Sequence, residues 1–277
     1  MQVYIINLDQ STDRLARQQK QFARLGLSFD RLPAVSVADI SQEFYINHVK
    51  HGQRLMKQTE MACFLSHKKA WQQVISHDSP CVILEDDAVL AYDFAQVLAD
   101  IDRQNLGGQV DLINLEVQPR KKVVSHQPIA TILGSEYELY QLLLEKNGTG
   151  GYILYPSGAK KLLDKAQRTI ALADAFIYYC HGLHTTQIEP AVLLQDVICP
   201  AYDVPIEAPP HSIIGAVQNT VDFTPTLWHK LHFKKNRILT QLILGFKTLW
   251  ALSKGVKRQI SVRREKFLDN HQNNIEK

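Results

Sequence analysis

The chain is poor in cysteine. It has four, Cys63, Cys81, Cys180 and Cys199, in 277 residues, with no CxxC pair among them. That dispersal argues against a disulfide framework or a thiolate zinc module and makes a reducing compartment the simpler expectation. Long apolar runs are missing too. The longest candidate, residues 239–252, is interrupted by Gln241 and Lys247, short of the ~18–20 apolar residues that a membrane span needs. The first residues, Met-Gln-Val-Tyr-Ile-Ile-Asn-Leu-Asp, carry no basic leader and read as a first strand rather than a secretion signal. No internal repeat or low-complexity tract is present. What remains, 45% hydrophobic and 21% charged, is an ordinary folded-protein composition with ample core material.

Apolar runs and helical stretches alternate along the first two thirds of the chain. Residues 3–8 have the compact apolar character of a strand buried on both sides. A helix follows, capped by Ser11 or Thr12 and ended by Gly26. On it Leu15, Phe22 and Leu25 share one face, while Arg14, Arg17, Gln18, Lys20, Gln21 and Arg24 fill the solvent positions. Residues 29–35 supply a second strand, 60–76 a strong helix, and 81–84 another apolar strand. Residues 94–103 read as helix, 110–115 and 129–133 as strands, and 152–155 as a short strand after the loop 148–151. Ser157 is expected to cap a helix through residues 159–166. This alternation predicts an α/β fold with a mainly parallel sheet covered by helices on both faces.

Directly after the strand at 81–84 stand Glu85, Asp86 and Asp87. Three adjacent carboxylates repel one another and are not buried cheaply without a cation. Hard oxygen ligands suit Mg²⁺ or Mn²⁺, and such an ion commonly serves a phosphate-bearing substrate. A plainer alternative is that Asp86 or Asp87 only caps the next segment. Ligands of open parallel sheets sit at the carboxyl ends of strands. There the triplet and Asn7-Leu8-Asp9 are expected to share an edge.

Four segments, in this order and spacing, carry a resemblance. They are Val3-Tyr4-Ile5-Ile6-Asn7-Leu8-Asp9 with Arg14; Glu60-Met61-Ala62-Cys63-Phe64-Leu65-Ser66-His67; Val82-Ile83-Leu84-Glu85-Asp86-Asp87-Ala88; and Thr149-Gly150-Gly151-Tyr152 followed by Ser157-Gly158-Ala159. The chain resembles glycosyltransferase family 25, which groups bacterial lipooligosaccharide galactosyltransferases with related collagen galactosyltransferases. The match spans roughly the first 165 residues and departs from the family at Thr59, where a glycine is usual.

The resemblance implies a GT-A-type, Rossmann-like sheet and an inverting transfer of a hexose, galactose first among candidates, from a UDP-sugar to a lipid-linked oligosaccharide. It implies Mn²⁺ or Mg²⁺ on Asp87, with Glu85 or Asp86 assisting; His211, in Pro209-Pro210-His211-Ser212, is a further candidate to complete the shell from the C-terminal side. Asn7, Leu8, Arg14, Ser66, His67, Gly150, Gly151 and Tyr152 would line the nucleotide-sugar site, Tyr152 stacking on a sugar face. Asp174 is the first candidate for general base and Glu116 the second. Two rival functions stand beside it. One is a metal-dependent phosphoryl-transfer enzyme, for which Asp9 would be the nucleophile. The other is a non-catalytic carbohydrate- or membrane-binding protein on the same fold.

Charge divides the chain at its end. Residues 226–277 hold 12 Lys and Arg against 3 Asp and Glu, a net +9, while residues 1–225 carry a net −6. Leu231, Ile238, Leu242, Leu249, Leu252 and Val256 recur near helical spacing among these lysines, with Trp228 and Trp250 suited to an interface. The expected organisation is a catalytic domain over 1–225 and a basic amphipathic helical tail over 226–277. Such a tail fits an anionic membrane surface better than nucleic acid. The expected location is the cytoplasmic face of a bacterial inner membrane, with the protein peripheral.

Overall fold

The computed structural model describes residues 1–50, 52–132, 134–144, 148–206 and 223–268. Strand β1 (Gln2–Asn7) lies between β2 (Asp30–Pro33) and β3 (Cys81–Glu85), parallel to both. Beyond β3, β9 (Gly151–Leu154) is inserted antiparallel, and β5 (Leu112–Asn114) and β10 (Thr185–Glu189) resume the first direction. Antiparallel pairings then add β8 (Glu138–Leu144), β6 (Lys122–Ser125) and β12 (Gly255–Arg258), with β7 (Ala130–Thr131) beside β8. Strands β1, β2, β3, β5, β6 and β10 share one direction against β8, β9 and β12, so the expected α/β sheet is mostly one-directional. A separate two-stranded ribbon pairs β4 (Ala88–Leu90) with β11 (Leu193–Gln195).

Alternation along the central strands builds a core on each face. Val82 and Leu84 of β3 and Ile153 of β9 pack with Phe22 of helix α1 (Thr12–Leu25) and with Phe94, Val97 and Ile101 of α4 (Phe94–Gln104). Cys81, Ile83, Tyr152 and Leu154 point the other way. They meet Phe64, Trp71 and Val74 of α3 (Gln58–His77), Leu162 of α5 (Pro156–Ala166) and Phe176 of α6 (Ala173–Tyr178). Each fully buried aliphatic or aromatic side chain of this kind is worth roughly 1.5–3 kcal/mol. Helix α2 (Gln42–Val49) adds a smaller cluster in which Tyr45 and Val49 meet Met61 and Ala62.

Three local expectations change. Gln18 is buried rather than solvated: its amide donates to the carbonyls of Asp86 and Ala88 at 3.0 and 2.8 Å, so α1 grips the acidic turn. Ser157 is not the cap of α5. Tyr155 holds that place and Pro156, whose missing N–H suits the first helical position, comes next. Ser157 Oγ instead donates to Asp111 Oδ1 at 2.6 Å. Third, the segment from 226 is not a helical appendage throughout. Helix α7 (Leu227–Lys254) is capped by Thr226, but the chain then turns into β12, which covers the open edge of β6. Gly255 makes that entry: a Cβ there would lie 2.1 Å from the Val124 carbonyl oxygen. Ile260, Phe267 and Leu268 are buried beyond it.

Candidate functional site

A cavity of about 540 Å³ opens at the carboxyl ends of β1, β2 and β3. Ile6, Leu8, Ala34, Val35 and Ala62 give it apolar walls; Arg14, Glu85, Asp86, Asp87 and Asp196 supply charge. The parallel register sets Ile6 opposite Glu85, which brings the ends of β1 and β3 to one edge as the pattern predicts.

The three acids have different surroundings. Asp86 is held on all sides: Asn7 Nδ2 donates to its Oδ2 and Arg14 donates to its Oδ1, each at 2.8 Å. Burial outweighs those bonds and lifts its carboxyl above the ordinary value, while the pairing lifts the Arg14 guanidinium against its own burial. Glu85 accepts from Thr149 Oγ1 at 2.7 Å and from His67 Nε2 at 3.2 Å. Burial pushes its carboxyl up, but the His67 and Thr149 bonds prevail and keep it below the usual range. Asp87 has no such help. Its buried Oδ1 lacks a hydrogen-bond partner, and burial together with Glu85, Asp196 and Asp86 pushes its carboxyl up to about 8.

Asp196 is the site residue that the sequence pattern missed. It follows β11 directly, and the β4–β11 register, with Gln195 opposite Ala88, brings it beside Asp87. Its amide donates to the Asp87 carbonyl at 3.0 Å. Its own Oδ2 is also buried without a hydrogen-bond partner, 3.7 Å from Arg17. Two carboxylates on neighbouring backbone, each with a buried oxygen that no hydrogen bond satisfies, that of Asp196 facing only the Arg17 guanidinium, are a donor set that suits a hard divalent cation. The only advance signal was a short apolar run, residues 192–194, ending in Gln195-Asp196.

Other candidates take structural posts. His67 is wholly buried, with Nδ1 2.9 Å from the Tyr152 hydroxyl, whose oxygen accepts from Trp71 Nε1 at 2.9 Å. Because Trp71 only donates and the Glu85 carboxylate only accepts, the chain runs Trp71 to Tyr152 to His67 to Glu85, with the His67 proton on Nε2. Tyr152, 1% exposed, therefore has no face for a sugar, and burial drives its phenol upward. Ser66 accepts from the Val35 amide and donates to the Ala62 carbonyl, pinning the segment after β2 to α3 from the cavity wall.

Gly150 and Gly151 are not open for ligand approach. A Cβ on Gly150 would meet Gln195 at 2.6 Å, and one on Gly151 would meet Leu193 at 2.2 Å, so both glycines admit β11. Glu116 lies sealed beneath this loop, Oε1 accepting from the Gly150 amide at 2.9 Å; burial raises its carboxyl to about 8 despite Lys122 nearby. Asp174 opens α6 with Oδ1 accepting from the Ala175 amide at 2.6 Å. Neither candidate base is among the residues lining the cavity, although the charge of Asp174 is felt at Cys63, which is. Asp9 pairs with Arg31 and its side chain is 82% exposed, away from the post that a phosphoryl-accepting nucleophile requires. His211 lies outside the described residues.

This geometry meets a clear set of relatives. The family described as glycosyltransferase family 25 (LPS biosynthesis protein) matches residues 1–177. A glycosyltransferase 25 family member of Anopheles gambiae is 33% identical over 179 residues, covering 58% of this chain and 28% of its own length. The lacto-N-neotetraose biosynthesis glycosyltransferase LgtE of Neisseria meningitidis is 25% identical, with 71% of this chain and 75% of that protein covered. The lipooligosaccharide biosynthesis protein lic2B of Haemophilus influenzae is 23% identical, at 70% and 75% coverage. Against the mosquito proteins the chain spans about a third of the relative's length or less. The match covers every acid of the triplet and the loop behind it: the chain belongs to glycosyltransferase family 25.

Proposed function

We propose that the chain transfers a hexose, galactose first among candidates, from a UDP-sugar to a lipid-linked oligosaccharide with inversion at the anomeric carbon. The observation that carries this is the pair of buried oxygens of Asp87 and Asp196 that accept no hydrogen bond, beside a cavity large enough for a nucleotide. Leu8, Val35 and Ala62 offer an apolar wall to the nucleoside, and Asp86 fixes Arg14 at the mouth. Mn²⁺ or Mg²⁺ held by Asp87 and Asp196, with Glu85 adjoining, would neutralise charge on the departing diphosphate.

In the single displacement the acceptor oxygen bonds to the anomeric carbon as the bond to the diphosphate breaks. Asp174 takes the hydroxyl proton. Its support is the reach of its charge to the cavity wall at Cys63, whereas Glu116 is sealed behind the glycine loop. LgtE and lic2B bear names from lipooligosaccharide and related glycan synthesis, which supports an acceptor of that class. Among the described residues no helix is long and apolar enough to cross a membrane. The basic, apolar outer face of α7 supports peripheral attachment to an anionic surface, at the cytoplasmic face of a bacterial inner membrane.

Calorimetry of UDP binding with and without Mn²⁺ tests the assignment. Asp87→Ala should weaken Mn²⁺-dependent binding at least tenfold, about 1.4 kcal/mol. A wild-type chain that binds no UDP compound in the presence of the metal would sink the transferase assignment. Asp174→Asn should lower kcat about 10²–10⁴-fold and leave the donor KM nearly unchanged.

A further inference from the structure

The cavity wall holds a second donor set, chemically unlike the acids at Asp87. Cys63 and His67 stand four residues apart on α3 and so share one helical face, and Glu85 reaches them from the end of β3. One ligand atom from each, sulfur, imidazole nitrogen and carboxylate oxygen, lies within 4.8 Å of the other two. His67 Nε2 and Glu85 Oε1 are 3.2 Å apart, close to the roughly 3.3 Å edge of a tetrahedron drawn with the usual Zn–N and Zn–O lengths. Cys63, His67 and Glu85 all line the cavity, so a fourth position faces open space.

We propose that Cys63, His67 and Glu85 bind a thiophilic divalent cation, Zn²⁺ above all, and that the bound ion closes the cavity to nucleotide. Sulfur and imidazole discriminate against Mg²⁺ and Mn²⁺, which favour oxygen, so the site selects a different class of ion from the carboxylate pair. Binding replaces the thiol proton of Cys63 with a sulfur–metal bond and releases that proton to solvent. His67 must offer Nε2 as a lone pair, so its proton moves to Nδ1, where the Tyr152 oxygen accepts it. That shift leaves the Tyr152 hydrogen without its present partner, a cost that the metal–ligand bonds offset. The Tyr152–Trp71 pair then orients the imidazole from behind, as outer partners of metal-bound histidines do. Glu85, drawn to the ion, is no longer free to serve a metal at Asp87. Closure of the cavity rests on its being the nucleotide site; the ion site itself does not.

Absorption titration of the full chain with Co²⁺, a spectroscopic substitute for Zn²⁺, tests the site without any substrate. The wild type should develop a thiolate-to-cobalt charge-transfer band that Zn²⁺ bleaches. Cys63→Ser should abolish the band and weaken Co²⁺ binding at least tenfold, whereas Cys180→Ser should leave it intact. A band that survives Cys63→Ser, or no band in the wild type, overturns the proposal. Should Cys63→Ser fail to fold, zinc-edge X-ray absorption of the wild type decides instead: one sulfur neighbour supports the site, and only nitrogen and oxygen neighbours refute it. With both forms folded, Zn²⁺ should raise the apparent Kd for UDP at least tenfold in the wild type and not in Cys63→Ser. If the cobalt band is present but UDP does not bind even without zinc, the nucleotide assignment fails and the ion site stands.

Discussion

At the scale of single residues, Asp87 and Asp86 show how neighbours decide the role of a carboxylate. Asp86 spends both oxygens on Asn7 and Arg14, whereas for Asp87 burial and the charges of Glu85, Asp196 and Asp86 outweigh the more modest pull of Arg14. The folded Asp87 carboxyl near 8 stands above its unfolded value, so the folded chain holds that proton more tightly. Its contribution to stability is fully present below about pH 4 and lost as pH climbs toward 8. Glu116, also at about 8, acts in the same direction. The metal-free protein should therefore lose thermal stability between pH 5 and 8, and Mn²⁺ should restore the part due to Asp87. Asp87→Asn is expected to raise the metal-free midpoint at pH 8 by about 2–4 °C, the effect of roughly 1 kcal/mol at this size, and to erase the Mn²⁺ response. Scanning calorimetry at pH 5 and 8 checks both, and a persisting Mn²⁺ shift in Asp87→Asn would place the ion elsewhere. Glu116→Gln keeps an acceptor for the Gly150 amide, so turnover should stay within about threefold of wild type; a hundredfold loss in a steady-state assay would return Glu116 to the chemistry.

Elements add what residues alone do not. The β4–β11 ribbon sets Asp196 beside Asp87, and Gly150 and Gly151 let β11 pass at a distance no side chain would allow. Gly151→Ala forces its methyl against Leu193 and Leu84. It should cost about 1–3 kcal/mol, and chemical denaturation should register that loss together with weaker Mn²⁺ binding, because the ribbon carries Asp196. Unchanged stability would show that Leu193 has room to move. Strand periodicity made β1, β3 and β9 legible, and the caps of α1 and the acid-ended strand β3 could be read directly. The ribbon was not legible. Its strands are three residues each and join positions more than a hundred residues apart, a pairing that local pattern does not encode.

Across the whole molecule, the basic C-terminal segment is both a surface and a part of the fold. Helix α7 turns Trp228, Leu242, Phe246 and Leu249 outward, Phe246 being 72% exposed, while its opposite side rests on the domain through Asn236, which donates to the Gly52 carbonyl, and the buried Ala251. Removing residues 226–277 would also remove β12 and the buried Phe267, so loss of membrane binding in such a truncation would mean little. The paired substitution Leu242→Glu with Phe246→Glu changes only the outer face. It should abolish sedimentation with anionic liposomes at unchanged thermal stability, and binding that persists would remove α7 from the membrane contact.

The sequence by itself determined the α/β alternation, the apolar strands, the acidic triplet at a strand end and the amphipathic charge of the last segment. These follow from short-range periodicity and from the cost of burying like charges, which depend on neighbours along the chain. Only the tertiary structure decided that Gln18 and Tyr152 are interior, that the paired glycines serve packing, that Glu116 lies beneath their loop, and that Asp196 completes the acid pair. Those roles depend on which distant strand arrives beside which residue. A polar side chain becomes ligand, anchor or core according to the partner that meets it there.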